Sequence, residues 1–334
     1  MFKKIFLLSL ISFSLFTETL PQITAQLDQA EKDYKIAKNM FNPWYGSPLI
    51  TASGNVMPPK FVNIYSLLVV SDTYAINDSQ RKRINIPDVT NISPVINIGV
   101  GIIPRLDASV TLQGIYTSQS GQDYFDIGDT TLNFGIAILR EKPYVPALKM
   151  TLSQSFPTGN YEKFEATKAY VSSTGSGAYA TTIGFATSKV VWWWVTHPMQ
   201  FRFNCKFQLF SDVDVEGINS YGGGIGTDGT VSPGTAVYVS GSYEFSVTQH
   251  FVLALDLAYD YHDATTFTGT PGFIALGVPA SVGSPSKHSF SLAPAMEYVF
   301  NPKAVLTAGV WLSAYKTANS RDFIAGFVSF SYGF

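Results

Sequence analysis

Six charged residues in the second half of the chain have the types and the spacing that point most directly to chemistry. Each alternates with apolar residues along its own segment, so all six are expected on one face of a β-sheet. They are Arg202, Lys206, Glu244, Asp256, Asp260 and Glu297. Opposite charges on neighbouring strands can form ion pairs that brace a wall, and they can also form a charged constriction that selects solutes in a pore. The sequence supports both interpretations.

The patterns that usually indicate catalysis or a cofactor are weak. The four histidines are far apart and lack the spacing of metal ligands. A lipid hydrolase would need a serine and a histidine on one rim, but no nucleophile motif accompanies His262 or His288. The stretch 224–229 matches G-x-G-x-x-G, yet no βαβ unit surrounds it, so a flexible loop is the better interpretation. We therefore predict no enzyme activity, no metal and no cofactor.

The composition indicates what kind of scaffold holds the charged residues. Only 14% of the 334 residues are charged, against about 25% in a typical soluble protein, and another 14% are aromatic. The formal net charge of −2 leaves no basic field for nucleic acid, and the single Cys205 excludes an internal disulfide framework. Beyond the N-terminus no apolar run reaches the roughly 18 residues of a membrane helix. A membrane β-barrel accounts best for this composition, because alternation dilutes its lipid-facing residues.

From residue 61 to the end, apolar residues recur at every second position. In the segment 199–210, Phe201, Phe203 and Phe207 alternate with polar or charged residues, as on a wall between lipid and water. We predict an all-β, antiparallel, up-and-down transmembrane barrel of about twelve strands. The predicted strands are 61–70, 93–103, 106–117, 129–140, 146–156, 178–190, 199–210, 235–246, 250–262, 287–300, 304–315 and 322–334. A soluble β-sandwich would show the same alternation.

The predicted connections favour the barrel, because short and long ones alternate. The short ones include Pro104-Arg105, the stretch 247–249 and the stretch 301–303. The longer ones include 71–92, 157–177, 211–234 and 263–286. Outer-membrane barrels have short periplasmic turns and long outside loops, so both termini are expected in the periplasm.

The short connection near residue 248 predicts a strand register. If Phe245 pairs with Phe251 across a tight turn, Ser240 lies opposite Asp256. Arg202 and Glu244 then lie at similar heights in the barrel.

The N-terminal 60 residues differ from the rest of the chain. Residues 1–25 resemble a signal peptide, with Lys3 and Lys4 before an apolar stretch and Ala25 at a cleavage position. Residues 26–60 combine a short helix pattern over 26–41 with four prolines over 42–60. We expect residues 26–58 to fold into or across the periplasmic opening of the barrel formed by residues 61–334. A mobile leader is the alternative. The candidate plug residues are Tyr34, Phe41, Trp44 and Tyr45.

Two resemblances narrow the class. The chain ends in a strand with alternating Phe330, Tyr332 and Phe334, which resembles the C-terminal signature of bacterial outer-membrane proteins. The resemblance implies that the barrel assembly machinery recognises this strand as the assembly signal. A second set of motifs is similar to the outer-membrane barrel family assigned to the MetA pathway of phenol degradation, often labelled "transporter". The motifs are Asn42-Pro43-Trp44-Tyr45-Gly46-Ser47-Pro48-Leu49, Arg105-Leu106-Asp107, Gly128-Asp129-Thr130 and Phe156-Pro157-Thr158-Gly159.

The second resemblance implies an outer-membrane channel for the uptake or efflux of small molecules, with apolar or aromatic compounds as candidate solutes. The expected partners are outer-membrane lipids, the barrel assembly machinery and a small solute. Two other functions are kept as alternatives. One is a structural or adhesive surface barrel that acts through its long loops, and the other is an outer-membrane lipid hydrolase.

Overall fold

The computed structural model describes residues 19–38, 45–46, 48–169, 171–194, 197–275, 277–315 and 317–334. The chain divides into two compact units, Met1–Asn39 and Met40–Phe334. Among the described residues, no helix is both long enough and apolar enough to cross a membrane.

The first unit contains one helix, α1 (Leu20–Lys38). Thr19 lies just before it, and the Gln22 side chain accepts a hydrogen bond from the Thr19 backbone N–H at 2.8 Å. This arrangement resembles a capping box, and the sequence Thr19-Leu20-Pro21-Gln22 is its signal. The helix therefore begins six residues earlier than the predicted range of 26–41. The predicted leader, residues 1–25, lies mostly outside the described residues and stays a prediction.

The second unit is a β-barrel, and its strands match the predicted ranges closely. The strands are β1 (Val62–Asn77), β2 (Arg83–Ile103), β3 (Leu106–Gln119), β4 (Gln122–Ile127), β5 (Thr130–Leu139), β6 (Ala147–Phe156), β7 (Ala180–Trp194), β8 (His197–Phe210), β9 (Val213–Glu216), β10 (Asp228–Ser232), β11 (Thr235–Ser246), β12 (Phe251–His262), β13 (Thr266–Thr270), β14 (Phe273–Ala275), β15 (Val278–Pro279), β16 (Lys287–Asn301), β17 (Ala304–Tyr315) and β18 (Arg321–Gly333).

The barrel closes because β1 pairs with β2 on one side and with β18 on the other. Every neighbouring pair around the ring is antiparallel. β4 and β5 pair with successive halves of β3 and share one strand position, which gives twelve positions in all. The Val62 and Phe334 backbones exchange hydrogen bonds of 3.0 and 2.9 Å at the closing seam. The predicted closed twelve-stranded antiparallel barrel is confirmed.

Side chains alternate between the two faces of the wall as the period of two requires. On β8 the outward Phe203 is 50% exposed, whereas the inward Gln200 is fully buried. On β12 the outward Leu257 is 56% exposed and the inward Asp256 is fully buried. The apolar residues therefore cover the outside of the barrel, and many of the polar residues lie inside.

The short connections form one rim of the barrel, which we call the turn end. They are residues 104–105, 140–146, 247–250 and 302–303. The opposite rim is the loop end. The connections from β6 to β7, from β8 to β11 and from β12 to β16 at the loop end are long, as predicted, whereas the one from β1 to β2 is short. The predicted alternation is therefore present in part.

Two details of the prediction are wrong. The stretch 71–92 is not a loop: β1 and β2 continue through most of it and pair as far as Asn77 and Arg83, with a bulge at Thr73/Ala75. A strand that extends beyond a membrane needs no lipid-facing alternation, so its polar residues resembled a loop. Gly224–Gly229 is also held rather than free, because Thr227 Oγ1 accepts from the Gly224 N–H at 2.7 Å and donates to the Pro271 carbonyl at 2.6 Å.

The predicted register between β11 and β12 is wrong by two residues. Phe245 pairs with Leu253, so Ser240 lies opposite Ala258 and Asp256 lies opposite Ser242. The turn is wider than expected, since the N–H groups of both Val247 and Thr248 bond to the Phe251 carbonyl. A shift of two leaves every side chain on its predicted face.

Candidate functional site

The barrel interior is the candidate site, and its most buried polar contact is an ion pair. The Arg202 guanidinium donates to both carboxylate oxygens of Glu244, at 2.7 Å from Nε and 2.9 Å from a terminal nitrogen. The two side chains are 1% and 0% exposed. Arg202 also donates to Gln200 Oε1 at 3.3 Å. This pair lies where the sequence placed Arg202 and Glu244, at similar heights on β8 and β11.

Residues 45–46 and 48–60 run through the interior, and together we call them the interior segment. The segment contacts β16 through Gly46 and β12 through Ile50, and it ends at β2, where the Lys60 N–H donates to the Gly101 carbonyl at 2.7 Å. β12 and β2 lie on well-separated parts of the ring. The segment therefore crosses the cross-section of the barrel.

Three carboxylates of the barrel wall each accept a hydrogen bond from the backbone of the interior segment. Glu297 accepts from the Gly46 N–H at 2.8 Å. Asp256 accepts from the Ile50 N–H at 2.9 Å, and Asp107 accepts from the Met57 N–H at 2.9 Å. These three bonds attach the interior segment to β16, β12 and β3, so they anchor it at three places around the ring.

Polar groups on β7 and β8 add further anchors. Arg202 donates to the Gly46 carbonyl at 2.9 Å, and the Gly54 N–H donates to Ser188 Oγ at 3.1 Å. In the amide orientation that satisfies both of its polar atoms, Asn204 accepts from the Ala52 N–H at 2.6 Å and donates to the Ala52 carbonyl at 3.1 Å. Barrel side chains thus satisfy backbone groups that an irregular chain would otherwise leave unpaired at this depth.

Two glycines let the interior segment approach the wall closely. A Cβ on Gly54 would lie 2.7 Å from the Ser188 backbone nitrogen and 2.8 Å from the Ala147 carbonyl oxygen. A Cβ on Gly101 would lie 1.9 Å from the Pro58 carbonyl oxygen. Backbone atoms leave no room for a side chain at either position, so both contacts require glycine.

Apolar contacts hold the first part of the interior segment. Tyr45 is 7% exposed and packs with Val190, Val252 and Val299. Leu49 and Ile50 pack against a second cluster formed by Ala254, Ala293, Ala295 and Phe327, all on the inner face of the wall. Burial raises the pKa of the Tyr45 phenol far above its ordinary value, so this ring stays neutral inside the protein.

A cavity of about 1070 Å³ remains beside the interior segment. It reaches from Pro302 and Lys303 at the turn end to Tyr238 and Asp260, farther up the wall. Hydroxyl and amide groups cover part of its lining: Asn97 donates to Thr111 Oγ1 at 2.7 Å, for example. The interior is therefore not solid.

All six charged residues predicted to line the lumen lie on inward-facing positions of β8, β11, β12 and β16. Glu244, Asp256 and Glu297 are fully buried, and Lys206 and Asp260 line the cavity. Asp107, Asn204 and Lys149 also face the interior, although they were not among the predicted lumen residues. Each lies on an inward position of a predicted strand, so the alternation that located the other residues was available for these too.

The candidate plug and assembly residues fall in different places. Tyr34 lies on α1, Phe41 and Trp44 lie outside the described residues, and Tyr45 begins the interior segment. Phe330 and Tyr332 face outward on β18, and Phe334 follows that strand at the seam.

The histidines make contacts that need no catalytic role. His197 Nδ1 lies 3.0 Å from the Ser246 carbonyl oxygen, and His250 Nδ1 lies 2.6 Å from that of Val299. His262 and His288 each meet a tyrosine ring edge-on, those of Tyr238 and Tyr259. Among the described residues, no three His, Cys, Asp or Glu side chains are grouped so that they could hold a metal ion.

The chain is similar to several solved outer-membrane barrels. The COG4313 outer membrane channel from Pseudomonas putida F1 is 14% identical, with a TM-score of 0.65, and the match covers 84% of this chain and 97% of that one. The KdgM porin in complex with disordered oligogalacturonate is 9% identical, with a TM-score of 0.41 and coverage of 81% and 99%. The translocator domain of the autotransporter NalP from Neisseria meningitidis is 11% identical, with a TM-score of 0.42 and coverage of 93% and 97%.

No protein-family model matches the sequence, and no curated protein matches it. The similarity to the Pseudomonas channel supports the barrel fold. The comparisons do not identify the phenol-degradation family that the sequence motifs resemble.

Proposed function

We propose that this protein is an outer-membrane channel for small molecules and that the interior segment restricts passage through it. The observation that carries the proposal is the cavity of about 1070 Å³ beside a segment that crosses the barrel. A closed barrel of twelve strands is wider than the eight-stranded kind, whose interior side chains fill, and narrower than the sixteen-stranded porins with open channels. Such a barrel can hold a peptide segment and still leave space for a solute.

The contacts of the interior segment suit a restriction that can move. The segment is held by hydrogen bonds and apolar packing, and the single cysteine of the chain excludes an internal disulfide that would fix it. Each of its three carboxylate contacts involves a single backbone N–H. Rearrangement of the segment would join the existing cavity to the rest of the lumen.

The outward apolar side chains support a position in a lipid bilayer, and the barrel fold supports the outer membrane as its location. The turn end then faces the periplasm, and both barrel termini lie on that side. Apolar or aromatic compounds, which the resemblance in the sequence motifs implies, are one class of solute for the proposed channel. Uptake and efflux are both compatible with such a channel.

Solute entry into liposomes tests the proposal. Full-length protein and a variant that lacks residues 26–56 are reconstituted, and swelling is followed with neutral solutes of increasing size. The deletion retains the Pro58–Phe61 turn, in which the Phe61 N–H bonds to the Pro58 carbonyl at 3.1 Å. We expect liposomes with the deletion variant to swell faster than liposomes with the full-length protein. Liposomes that exclude every solute with both proteins would overturn the proposal and favour a structural barrel that acts through its loops.

A further inference from the structure

Two lysines face the cavity without a hydrogen bond or a close ion pair to a described residue. Lys149 on β6 and Lys206 on β8 both line it. Among the described residues, neither ammonium group has a hydrogen-bond acceptor within 3.5 Å or a carboxylate oxygen within 4.0 Å, although Asp107 and Asp260 act on them from farther away. An unpaired ammonium group removed from bulk water is costly, so an anion that enters the cavity gains a favourable interaction with each of them.

The carboxylates of the interior are in the opposite situation, because protein donors already bind them. Glu244 is paired with Arg202, and Asp107 accepts from the Met57 N–H. Asp260, the carboxylate whose field acts on Lys206, accepts from Ser289 Oγ at 3.5 Å. Asp256 and Glu297 each keep one oxygen without a hydrogen-bond partner, but both residues are fully buried and neither lines the cavity. Of the charged strand residues that line the cavity, Lys149 and Lys206 are therefore the two without a hydrogen bond to a described residue.

The strand between the two lysines carries a small residue opposite each of them. β7 separates β6 from β8 and carries Gly184 opposite Lys206 and Ala186 opposite Lys149. A Cβ on Gly184 would lie 2.9 Å from Lys206 Cγ, so the lysine stem passes over the glycine. Strands lie about 4.8 Å apart, which places the β6 and β8 backbones about 10 Å from each other. Small residues between them leave room for a ligand that approaches both ammonium groups.

Apolar and aromatic residues line other parts of the cavity, and those on β1 lie across the barrel from Lys206. Met57 belongs to the interior segment, Phe61 follows it directly, and Tyr65 lies on β1. β1 is six strand positions from β8 in the twelve-stranded ring, which is directly across the barrel. The cavity thus offers positive charge on one wall and apolar or aromatic surface elsewhere.

We propose that this cavity is a binding site for small organic carboxylates with an apolar body, and that Lys149 and Lys206 bind the carboxylate. The inference rests on the proposed channel function, because the site lies on the route that a solute would take through the barrel. It names the class of solute that this route selects.

Equilibrium dialysis of benzoate against the full-length protein in detergent tests the site. Benzamide and benzylamine serve as neutral and cationic probes of the same shape. The variants are Lys149→Gln, Lys206→Gln and the double variant, and Lys163→Gln in an exposed loop is the matched control. Heat-modifiable migration on gels verifies that each variant is folded, and Lys→Met replaces Lys→Gln where it is not.

We expect saturable benzoate binding that benzamide and benzylamine do not compete for. Loss of a charge-assisted contact should weaken it about tenfold in each single variant, and the control should bind like the unmodified chain. Equal binding of benzoate and benzamide, or binding unchanged in the double variant, would overturn the inference. If the binding site fails this test but solutes still enter liposomes, the channel proposal stands. If benzoate binds but no solute enters liposomes, the channel proposal is overturned and the binding site stands.

Discussion

At the scale of single residues, the interior is organised around Arg202. Its guanidinium joins Glu244 on the neighbouring strand, Gln200 two residues away and the Gly46 carbonyl of the interior segment. One side chain thus connects the wall to the segment that crosses the lumen. Replacing one partner of a buried ion pair leaves the other charge uncompensated, which costs far more free energy than losing a surface pair.

The Glu244→Gln variant should therefore lower the free energy of unfolding by about 3 kcal/mol. Glu216→Gln is the control, because Glu216 pairs with Lys163 at 3.2 Å and both side chains are more than half exposed. That change should cost about 1 kcal/mol or less. Urea-induced unfolding of the two variants in detergent, followed by gel migration, measures the difference. Equal midpoints would show that the buried pair contributes no more than the exposed one.

The alternation of apolar and polar residues was sufficient to place the charged residues on the inner face, but not to assign their partners. Arg202 and Glu244 could be placed near each other from the sequence. An error of two residues in the strand register leaves each side chain on its predicted face and moves it by only two positions along the strand. The contacts of Asp107, Asp256 and Glu297 involve backbone N–H groups of a distant segment. No side-chain pattern encodes such partners, so the sequence could not predict these bonds.

At the scale of elements, the last strand closes the barrel. β18 pairs with β1 along most of its length, and the Phe334 backbone exchanges two hydrogen bonds with Val62. The same strand carries the outward aromatic residues that resemble the outer-membrane assembly signature. The strand therefore combines two roles in one element, seam formation in the folded barrel and, by resemblance, recognition during assembly.

The Phe334→Ala variant should lower the amount of folded barrel in the membrane several-fold. Phe125→Ala is the matched control, because Phe125 is 61% exposed on β4, near the loop end, while Phe334 is 54% exposed. The measurement is the fraction of heat-modifiable protein in isolated membranes. Similar fractions for both variants would mean that the terminal aromatic residue has no special part in assembly.

Elements with a lipid-facing side were predictable, whereas elements beyond the lipid were not. The twelve barrel strands follow from a period of two that a lipid face imposes. β9, β10 and β13 form a separate small sheet at the loop end, with Val213, Val215 and Val231 buried in its own cluster. Short strands of this kind have too few residues for a clear alternation, so the sequence indicated only loops there.

At the scale of the whole molecule, the chain divides into two compact units, and the second unit contains both the barrel and the interior segment. Four prolines in residues 42–60 predicted an irregular stretch, and the described part of that stretch is irregular but tied to the wall at many points. The sequence suggested an interior location from its aromatic residues. The wall contacts depend on Gly54 and Gly101, whose importance appears only when the opposing backbone atoms are known.

The conductance of single barrels in a planar lipid bilayer tests most directly whether the interior segment restricts a channel. Gly54→Val forces a side chain against the Ser188 and Ala147 backbones and should displace the segment from the wall. Gly326→Val is the matched control, because no atom lies within 4 Å of a Cβ at that position on β18. We predict that Gly54→Val conducts more current than the unmodified protein and that Gly326→Val conducts the same. Equal conductance of all three proteins, with each one folded, would contradict the claim that the interior segment controls passage.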